Sequence, residues 1–315
     1  MPQPESASRP RLPDGAPRIL FCGSATLDTI FLVEALPRGA GKILPRDMAV
    51  VAHGMAASAA AAAARLGAQA MLISRLGDDE TGHRIRDELT AAGVDCSGVR
   101  HFAGVTSPIC TVIVDDTGER LVVPFYDPAL PVDPGWLPLA QAADAAAVMA
   151  DVRWPQGAAA LLDAARAAGK PAVLDADIGP RDVLLDLATH ATHAVFSEAG
   201  AAIASGKTDA SEALVWLSDR LEAQVAVTLG PQGCHWVEGG QIRRLPGHSI
   251  RAVDTLAAGD IFHGVLTWAL AQAVPFPESI ALANAAAAIK CKTFGGRRGA
   301  PDRMELCRFL EEEAR

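Results

Sequence analysis

The chain contains no C-x-x-C pair: Cys22, Cys96, Cys110, Cys234, Cys291 and Cys307 are scattered along 315 residues. That spacing suggests neither a zinc site nor a disulfide framework, so a reducing cytoplasm is the expected setting. Lysine and arginine never form a block longer than two, and 28 basic against 37 acidic residues leave a formal net charge of -9. A general nucleic-acid surface is thereby excluded, and any anionic ligand must be held by local groups. No apolar run is long and clean enough to span a bilayer, because the Ala-rich stretches are broken by Arg65, Arg166 or glycine. No membrane role follows. A G-x-G-x-x-G turn is missing after the first strand-like segment, which argues against a dinucleotide-dependent dehydrogenase. The opening MPQPESASRPRLPDGAP, residues 1–17, lacks the apolar centre of a signal peptide and is expected to be a disordered tail. There is also no convincing repeat and no Pro/Gly-rich interdomain linker.

What is present is enough hydrophobic content, 50%, to bury a large core. Strand-like apolar runs at 18–23, 70–77, 146–151, 171–177, 193–197 and 224–230 alternate with helix-like segments that include 54–67, 80–92, 156–168 and 210–221. This alternation predicts a three-layer α/β/α fold with a mostly parallel central sheet. Asp78 and Asp79 are candidate N-caps for the second of these helices. One region breaks the pattern. ICTVIVDDTGERLVVPFYD shows period-2 patterning on both sides of Asp116-Thr117-Gly118, so it reads as a β-hairpin. Segments of about 29–51 and 104–127 are expected to form a small β-sheet lid inserted in a domain covering 18–315.

Ligands of open α/β sheets bind at the carboxyl ends of the strands. There the chain offers Asp28, Arg153, the turn GPQG at 230–233, and the loop DTLAAGD at 254–260. Ala257, Ala258 and Gly259 are small enough to expose backbone, and the first N–H groups of the following helix lack intrahelical partners, which makes an anion hole. Asp260 stands where it can accept a proton from a nucleophile attacking that anion, a combination suited to phosphoryl transfer. By physics alone, an acid that merely complements the helix dipole fits Asp260 equally well.

DTLAAGD resembles the DTxGAGD signature of the ribokinase-like, or PfkB-type, carbohydrate kinases. The resemblance spans residues 18–303. Its other pieces are Asp28, HGMAASAAAAAARLGA (53–68), RLGDDETG (75–82), VTLGPQG (227–233), ANAAAA (283–288) and GGRRGAP (295–301). It implies ATP and Mg2+ as cofactors, with Asp260 as general base and the backbone of Ala257, Ala258, Gly259 and Asp260 stabilising the transferred phosphoryl group. It further implies that Asp28, His53, Gly54 and Ser58 line the sugar. Ser197, Glu198, Thr228, Gly230 and Gly233 would lie along the nucleotide phosphates, and Asn284 and Gly296 near the adenosine. The chain departs from the signature at three places. Ala257 replaces the first signature glycine, His53-Gly54 replaces a glycine pair, and SEAG at 197–200 replaces an NxxE element, leaving Glu198 to meet magnesium through water.

GAGK, ADVRW, FSEAG, GDIFHG and KCKTFGGRRGAPD resemble one branch of the family, the kinases of 6-deoxy-6-sulfofructose. That likeness implies phosphorylation of a C1 hydroxyl, with Lys42 and Arg153 holding the sulfonate. Ala52, His53 and Pro124 depart from that branch. An ordinary ketohexose, a sugar acid such as 2-keto-3-deoxygluconate, and a non-catalytic sugar or nucleotide sensor on the same fold remain the alternatives. Asp260 argues against a sensor, which has little need of a base beside an anion hole. An exposed lid edge, with the family likeness, leads us to expect a homodimer formed through the lid.

Overall fold

In the computed structural model residues 12–313 are described, and their strands fall into two sheets. In chain order the strands are β1 (Arg18–Cys22), β2 (Thr26–Leu32), β3 (Asp47–His53), β4 (Gln69–Gly77), β5 (Asp95–Phe102), β6 (Ile109–Val114) and β7 (Arg120–Phe125). They continue as β8 (Ala147–Asp151), β9 (Ala172–Ala176), β10 (His193–Ser197), β11 (Gln224–Thr228), β12 (Cys234–Glu238) and β13 (Gln241–Leu245). The helices are α1 (Met55–Arg65), α2 (Glu80–Ala91), α3 (Leu139–Asp144), α4 (Pro155–Ala167) and α5 (Arg181–His190). After them come α6 (Glu198–Ser205), α7 (Ala210–Ser218), α8 (Ala258–Leu270), α9 (Phe276–Cys291) and α10 (Arg303–Glu312).

The main sheet has the order β13-β12-β11-β10-β9-β8-β1-β4-β5. It is parallel from β5 to β11, and the antiparallel hairpin β12–β13 closes one edge. Side chains alternate across it as the two-residue period demands. Ile19 and Phe21 of β1 enter the core shared with α1, α8 and α9, whereas Leu20 and Cys22 enter the core shared with α4, α5 and α7. The expected three layers are therefore present. The chain runs from β1 outward to β4 and β5, then returns to lay β8 on the other side of β1. That reversal opens a crevice at the carboxyl ends of β1 and β8, the usual place for a ligand in such sheets.

The second sheet is the lid, in the order β3-β2-β6-β7. Its strands begin at Thr26 and its β3 runs through His53, so it reaches slightly further than the expected 29–51 segment at both ends. The hairpin read from the period-2 pattern is β6–β7, paired Ile109 to Phe125 through Val114 to Arg120. Pro124 lies on β7, the edge strand, where its missing N–H is tolerated.

Two helices build the floor of the crevice. In α1, alanine at nearly every position favours helix and allows close approach. It is pressed against α8 so tightly that a Cβ added at Gly264 would stand 2.4 Å from the carbonyl oxygen of Ala59. The helix α8 is buried from Ile261 to Leu270, which accounts for the unbroken apolar run after the DTLAAGD loop. Asp79 caps α2 by accepting from Gly82 N at 2.7 Å, and Asp78 plays no part in that cap. Of the expected disordered tail, residues 1–11 lie outside the described residues. Residues 12–17 are anchored instead: Gly15 N donates to Gln272 at 2.8 Å, and Arg303 reaches Asp14 at 2.6 Å. No helix among the described residues is long and apolar enough to cross a membrane.

Candidate active site

The crevice is organised by a buried carboxylate that the sequence reading passed over. Asp151, the last residue of β8, is fully buried and accepts hydrogen bonds from Ser24 N at 2.8 Å, Ser24 Oγ at 2.9 Å, Ala56 N at 3.0 Å and Arg153 N at 2.8 Å. It thus ties the end of β1, the first turn of α1 and the turn after β8 to one point. Four donors satisfy a charge that would otherwise be costly to bury.

The DTLAAGD loop forms the opposite wall. Ala257 is the N-cap of α8 with φ 67 and ψ 3, a left-handed conformation rare for a residue with a side chain. Such a turn before a helix points successive N–H groups into one concavity, a nest for an anion. Among the described residues the N–H groups of Ala257, Gly259 and Asp260 have no acceptor. Ala258 N donates to Thr255 O at 3.2 Å, which leaves the N–H groups of its neighbours as the open ones. A Cβ on Gly259 would meet nothing within 4 Å, which leaves the approach open.

Asp260 opens into this space from the first turn of α8. Burial and then the charges of Asp175, Asp177 and Asp151 push its pKa well above the usual carboxylate range, with Arg120 opposing them. A raised pKa makes the carboxylate a stronger base, the property a proton acceptor needs. His263 holds the turn in place. Its Nδ1 lies 2.8 Å from Gly259 O and its Nε2 3.3 Å from Val195 O; burial lowers its pKa, and the neutral ring, with one N–H, donates to only one of these carbonyls.

At the other end of the loop, Asp254 is fully buried and accepts from Leu256 N at 2.8 Å, Gly295 N at 3.0 Å and Gly296 N at 2.9 Å. The ammonium of Lys290 lies 3.3 Å from the same carboxylate. The lid meets the loop here too. Arg120 donates to Thr255 Oγ1 at 2.7 Å, and Thr255 Oγ1 donates to Gly118 O at 2.8 Å, so the hairpin tip sits against the DTLAAGD loop. Arg120 could have been noticed as the one basic residue flanking the hairpin turn.

The residues expected on the sugar side divide. Asp28 on β2 is buried, bonded to Thr26 Oγ1, and its Oδ2 is 3.3 Å from His53 Nδ1. Burial raises its pKa to about 7. His53 is buried rather than turned to solvent, and burial followed by the charges of Arg297, Lys290 and Arg120 lowers its pKa to about 3. His53 is therefore a neutral partner of Asp28, not half of an ion pair. Gly54 has φ 106, and a Cβ there would stand 2.5 Å from Ser24 O. Backbone packing alone therefore demands a glycine here, whatever lies against it in the crevice. Ser58 is fully buried within α1, and its hydroxyl has no partner among the described residues.

Arg153 stands on the rim, with no side-chain partner among the described residues. Asp151 binds only the Arg153 backbone, so the two side chains form no ion pair. Tyr126, the one tyrosine of the chain, was missed in the sequence. It leaves the end of β7 and comes close enough to Arg153, Asp151, Ser24 and Asp28 for them to act on its phenol, whose pKa burial raises to about 12. Lys42 is exposed in the loop before β3.

On the nucleotide side, Ser197 is the N-cap of α6, accepting from Gly200 N at 3.0 Å, with Glu198 exposed beside it. Thr228 ends β11 and bonds Phe196 O at 3.3 Å. Gly230 has φ 53 with open space around its Cβ direction, so ligand can approach its backbone. Gly233 has φ 88 and a Cβ there would lie 2.0 Å from Leu245 O, which makes it a fixed corner of the same turn. The Asn284 side-chain nitrogen is buried without a partner among the described residues, an open donor. Gly296 is placed differently from expectation. Its neighbours are His53, Ile30 and Asp254, on the lid side of the crevice, which corrects its assignment to adenosine.

Residues 16–303 match the family described as pfkB family carbohydrate kinase. An ATP-dependent ribose-1-phosphate kinase of Halopiger xanaduensis is 31% identical over 301 residues, covering 94% of this chain and 98% of its own. A fructokinase of Klebsiella pneumoniae is 29% identical over 306 residues, covering 89% of this chain and 96% of its own. A solved structure from Agrobacterium tumefaciens, provisionally named a ribokinase, superposes with a TM-score of 0.91 at 43% identity, over 95% of this chain and 99% of that one. With its two sheets, its left-handed turn into a buried helix and the aspartate in that helix's first turn, the chain belongs to the pfkB family of carbohydrate kinases.

Proposed function

We propose that this ATP-dependent carbohydrate kinase phosphorylates a ketose-type sugar bearing an anionic substituent, with the C1 hydroxyl of 6-deoxy-6-sulfofructose as the reference acceptor. The observation that carries this reading is Arg153, a guanidinium on the crevice rim with no side-chain partner among the described residues. An unpaired planar fork facing a ligand site suits a sulfonate or phosphate. The ribose-1-phosphate kinase similarity adds a relative whose name records an anionic sugar. Lys42 is free to join from the loop before β3.

Asp28 would accept the sugar hydroxyls and hold the acceptor under the lid. Asp260 would take the hydroxyl proton as that oxygen bonds to the γ-phosphorus and the bond to the β-phosphate oxygen breaks, leaving ADP. The N–H groups of Ala257, Gly259 and Asp260 would receive the charge on the phosphoryl oxygens. Among the described residues Asp175, Asp177 and Asp260 do not come together as a metal-binding group, so the magnesium that accompanies ATP would be held chiefly by the phosphate oxygens. Magnesium would neutralise phosphate charge, and exposed Glu198 is the further oxygen that could meet it through water. Six free thiols, five of them buried, suit a reducing cytoplasm.

A coupled ADP assay across sulfonated, phosphorylated and neutral ketoses and sugar acids tests the substrate. The sulfonated ketose is expected to show the lowest KM. In Arg153→Ala that KM rises by about tenfold to a hundredfold, the range for a lost charged hydrogen bond, while fructose changes less than about twofold. Equal losses for both sugars would make Arg153 structural. The fructokinase similarity favours a neutral ketohexose as the second reading, and preference for fructose in the panel would establish it. Sugar binding without any ADP formation would return the chain to a sensor.

Asp28 gives a pH signature. Because its pKa in the protein is about 7 rather than 3.8, its ionisation on raising the pH through 7 costs stability in the sugar-free protein. Hydroxyls donating to the carboxylate favour its charged form. Sugar affinity is therefore expected to tighten by about tenfold for each unit by which binding lowers the pKa, and the sugar-induced rise in Tm to grow between pH 6 and pH 8. Calorimetry in buffers of different ionisation enthalpy would register the released proton; affinity flat across this window would remove Asp28 from the sugar contacts.

The lid also supports a homodimer. All six residues of β7 are exposed and Leu121, Val122, Val123 and Phe125 are apolar, on a strand whose outer edge is unpaired. A second copy of this chain would cover that apolar edge. Light scattering is expected to give a dimer mass, and Val123→Asp a monomer; wild-type monomer at micromolar concentration overturns the assembly.

A further inference from the structure

Lys290 is the feature that the catalytic reading leaves unexplained. It sits near the end of α9, among alanines and isoleucine, and its side chain is entirely shielded from solvent. Lysine is almost never fully buried without a partner, because removing an ammonium from water is expensive. The partner is Asp254, also fully buried. The Lys290 Nζ donates to the Asp254 carbonyl oxygen and lies 3.3 Å from Oδ2 of the same residue. Burial pulls the ammonium's pKa down, and Asp254 opposes that shift; the other charges acting on it are Cys291 beside it and Arg120 from the lid.

The position of this pair matters more than its burial. Asp254 is the first residue of DTLAAGD, and its carboxylate gathers N–H groups from Leu256 in that loop and from Gly295 and Gly296 after α9. Two peptide units before Ala257 are thus fixed on one side by backbone N–H groups and on the other by an ammonium. Without the ammonium, the Asp254 carbonyl loses its side-chain donor, and the carboxylate loses the cation beside it. The loop's simplest relief would be rotation of the 254–256 peptides, which would carry Ala257 out of its left-handed conformation and scatter the N–H groups of the anion hole.

We propose that Lys290 is a positioning residue, a cation tethered inside the protein that holds the 254–260 loop in its phosphoryl-accepting shape through Asp254. The site carries its own monovalent charge and needs none from solution. The inference rests on the reading of that loop as the phosphoryl site, so its test pairs one readout of loop order with one of turnover.

In Lys290→Met, amide exchange within 254–260 is expected to accelerate at least tenfold while the amides of α8 beyond Phe262 stay protected. Turnover is expected to fall by about a hundredfold, the penalty for misplacing reacting groups by an ångström, with the sugar KM within about twofold of wild type. Lys290→Ala leaves out the fragment that propylammonium replaces. Added propylammonium should restore turnover saturably by at least tenfold, and tetramethylammonium at equal ionic strength should not. Unchanged loop exchange in Lys290→Met overturns the proposal; accelerated exchange with full turnover sustains the tether and instead overturns the loop's catalytic assignment. Wild-type protein supplies a measurement that no folding defect can obscure. Its turnover with MgATP should vary less than about twofold when potassium, sodium and tetramethylammonium chlorides are exchanged at constant ionic strength, and a strong requirement for one of them overturns the self-contained cation.

Discussion

Asp260→Asn is expected to lower turnover by about a thousandfold while sugar and ATP affinities stay within a few-fold of wild type. The magnitude is the middle of the range for a positioned proton acceptor, and the amide is nearly isosteric, so binding surfaces are preserved. A second consequence separates this substitution from a simple lesion. In the ligand-free protein Asp260 is burdened by burial and by the charges of Asp175, Asp177 and Asp151. A group whose pKa is raised on folding contributes stability at low pH and loses it as pH rises through the folded value. Asparagine does not ionise, so the variant is expected to melt at a higher temperature than wild type, with the gap widening from pH 5 to pH 8. Single-turnover kinetics and thermal melts on one preparation check both halves. Wild-type turnover in the variant would remove Asp260 from the proton-transfer step; a lower Tm at pH 8 would show that the carboxylate supports the fold instead of straining it.

Ala257→Val is expected to reduce turnover by a hundredfold or more, whereas Ala257→Gly should keep it within about twofold. Ala257 holds φ 67 with its side chain almost fully buried. The left-handed region costs an L-residue roughly 1–2 kcal/mol, and a β-branched side chain fits it worst. Valine would escape by returning the backbone to negative φ, and that movement turns the neighbouring N–H groups away from the phosphoryl oxygens. Loss of one such preorganised donor typically costs about a hundredfold to a thousandfold. Glycine adopts the same φ freely, so it spares the geometry and relieves strain. Steady-state kinetics with saturating sugar distinguishes the two: the loss in valine should fall on kcat. Equal activity in both variants would mean that the hole does not depend on the left-handed turn.

Much of this architecture was legible in the linear chain because its signals are local. Alternation of apolar runs gave the central strands, the period-2 pattern around Asp116-Thr117-Gly118 gave the β6–β7 hairpin, and the small residues before Asp260 marked an exposed helix start. The contacts that were not legible join residues far apart in sequence. Asp151 looks like any acid at a strand end until it gathers donors from Ser24 and Ala56. Lys290 looks like a helix-terminal lysine complementing a dipole until its ammonium meets Asp254. Glycines carry a different ambiguity. Gly54 and Gly233 are both demanded by carbonyl oxygens pressed against them, at Ser24 and Leu245, and sequence alone cannot tell a glycine needed by the backbone from one needed by a ligand. Tyr126 and Arg120 were overlooked because lid residues reach the site only through the fold.

The small triangle of Arg120, Thr255 and Gly118 bears on economy of ATP use. A kinase that holds MgATP beside a strong base risks transferring phosphate to water whenever its acceptor is away. Here the hairpin tip that shuts the crevice is also the brace on the loop that forms the anion hole. Were the lid to lift, it would withdraw the Arg120 contact and free Thr255 in the same motion that let water in. The state most exposed to solvent would then be the state with the least support for the 254–260 loop, so the same few bonds that favour transfer to sugar would also restrain futile hydrolysis.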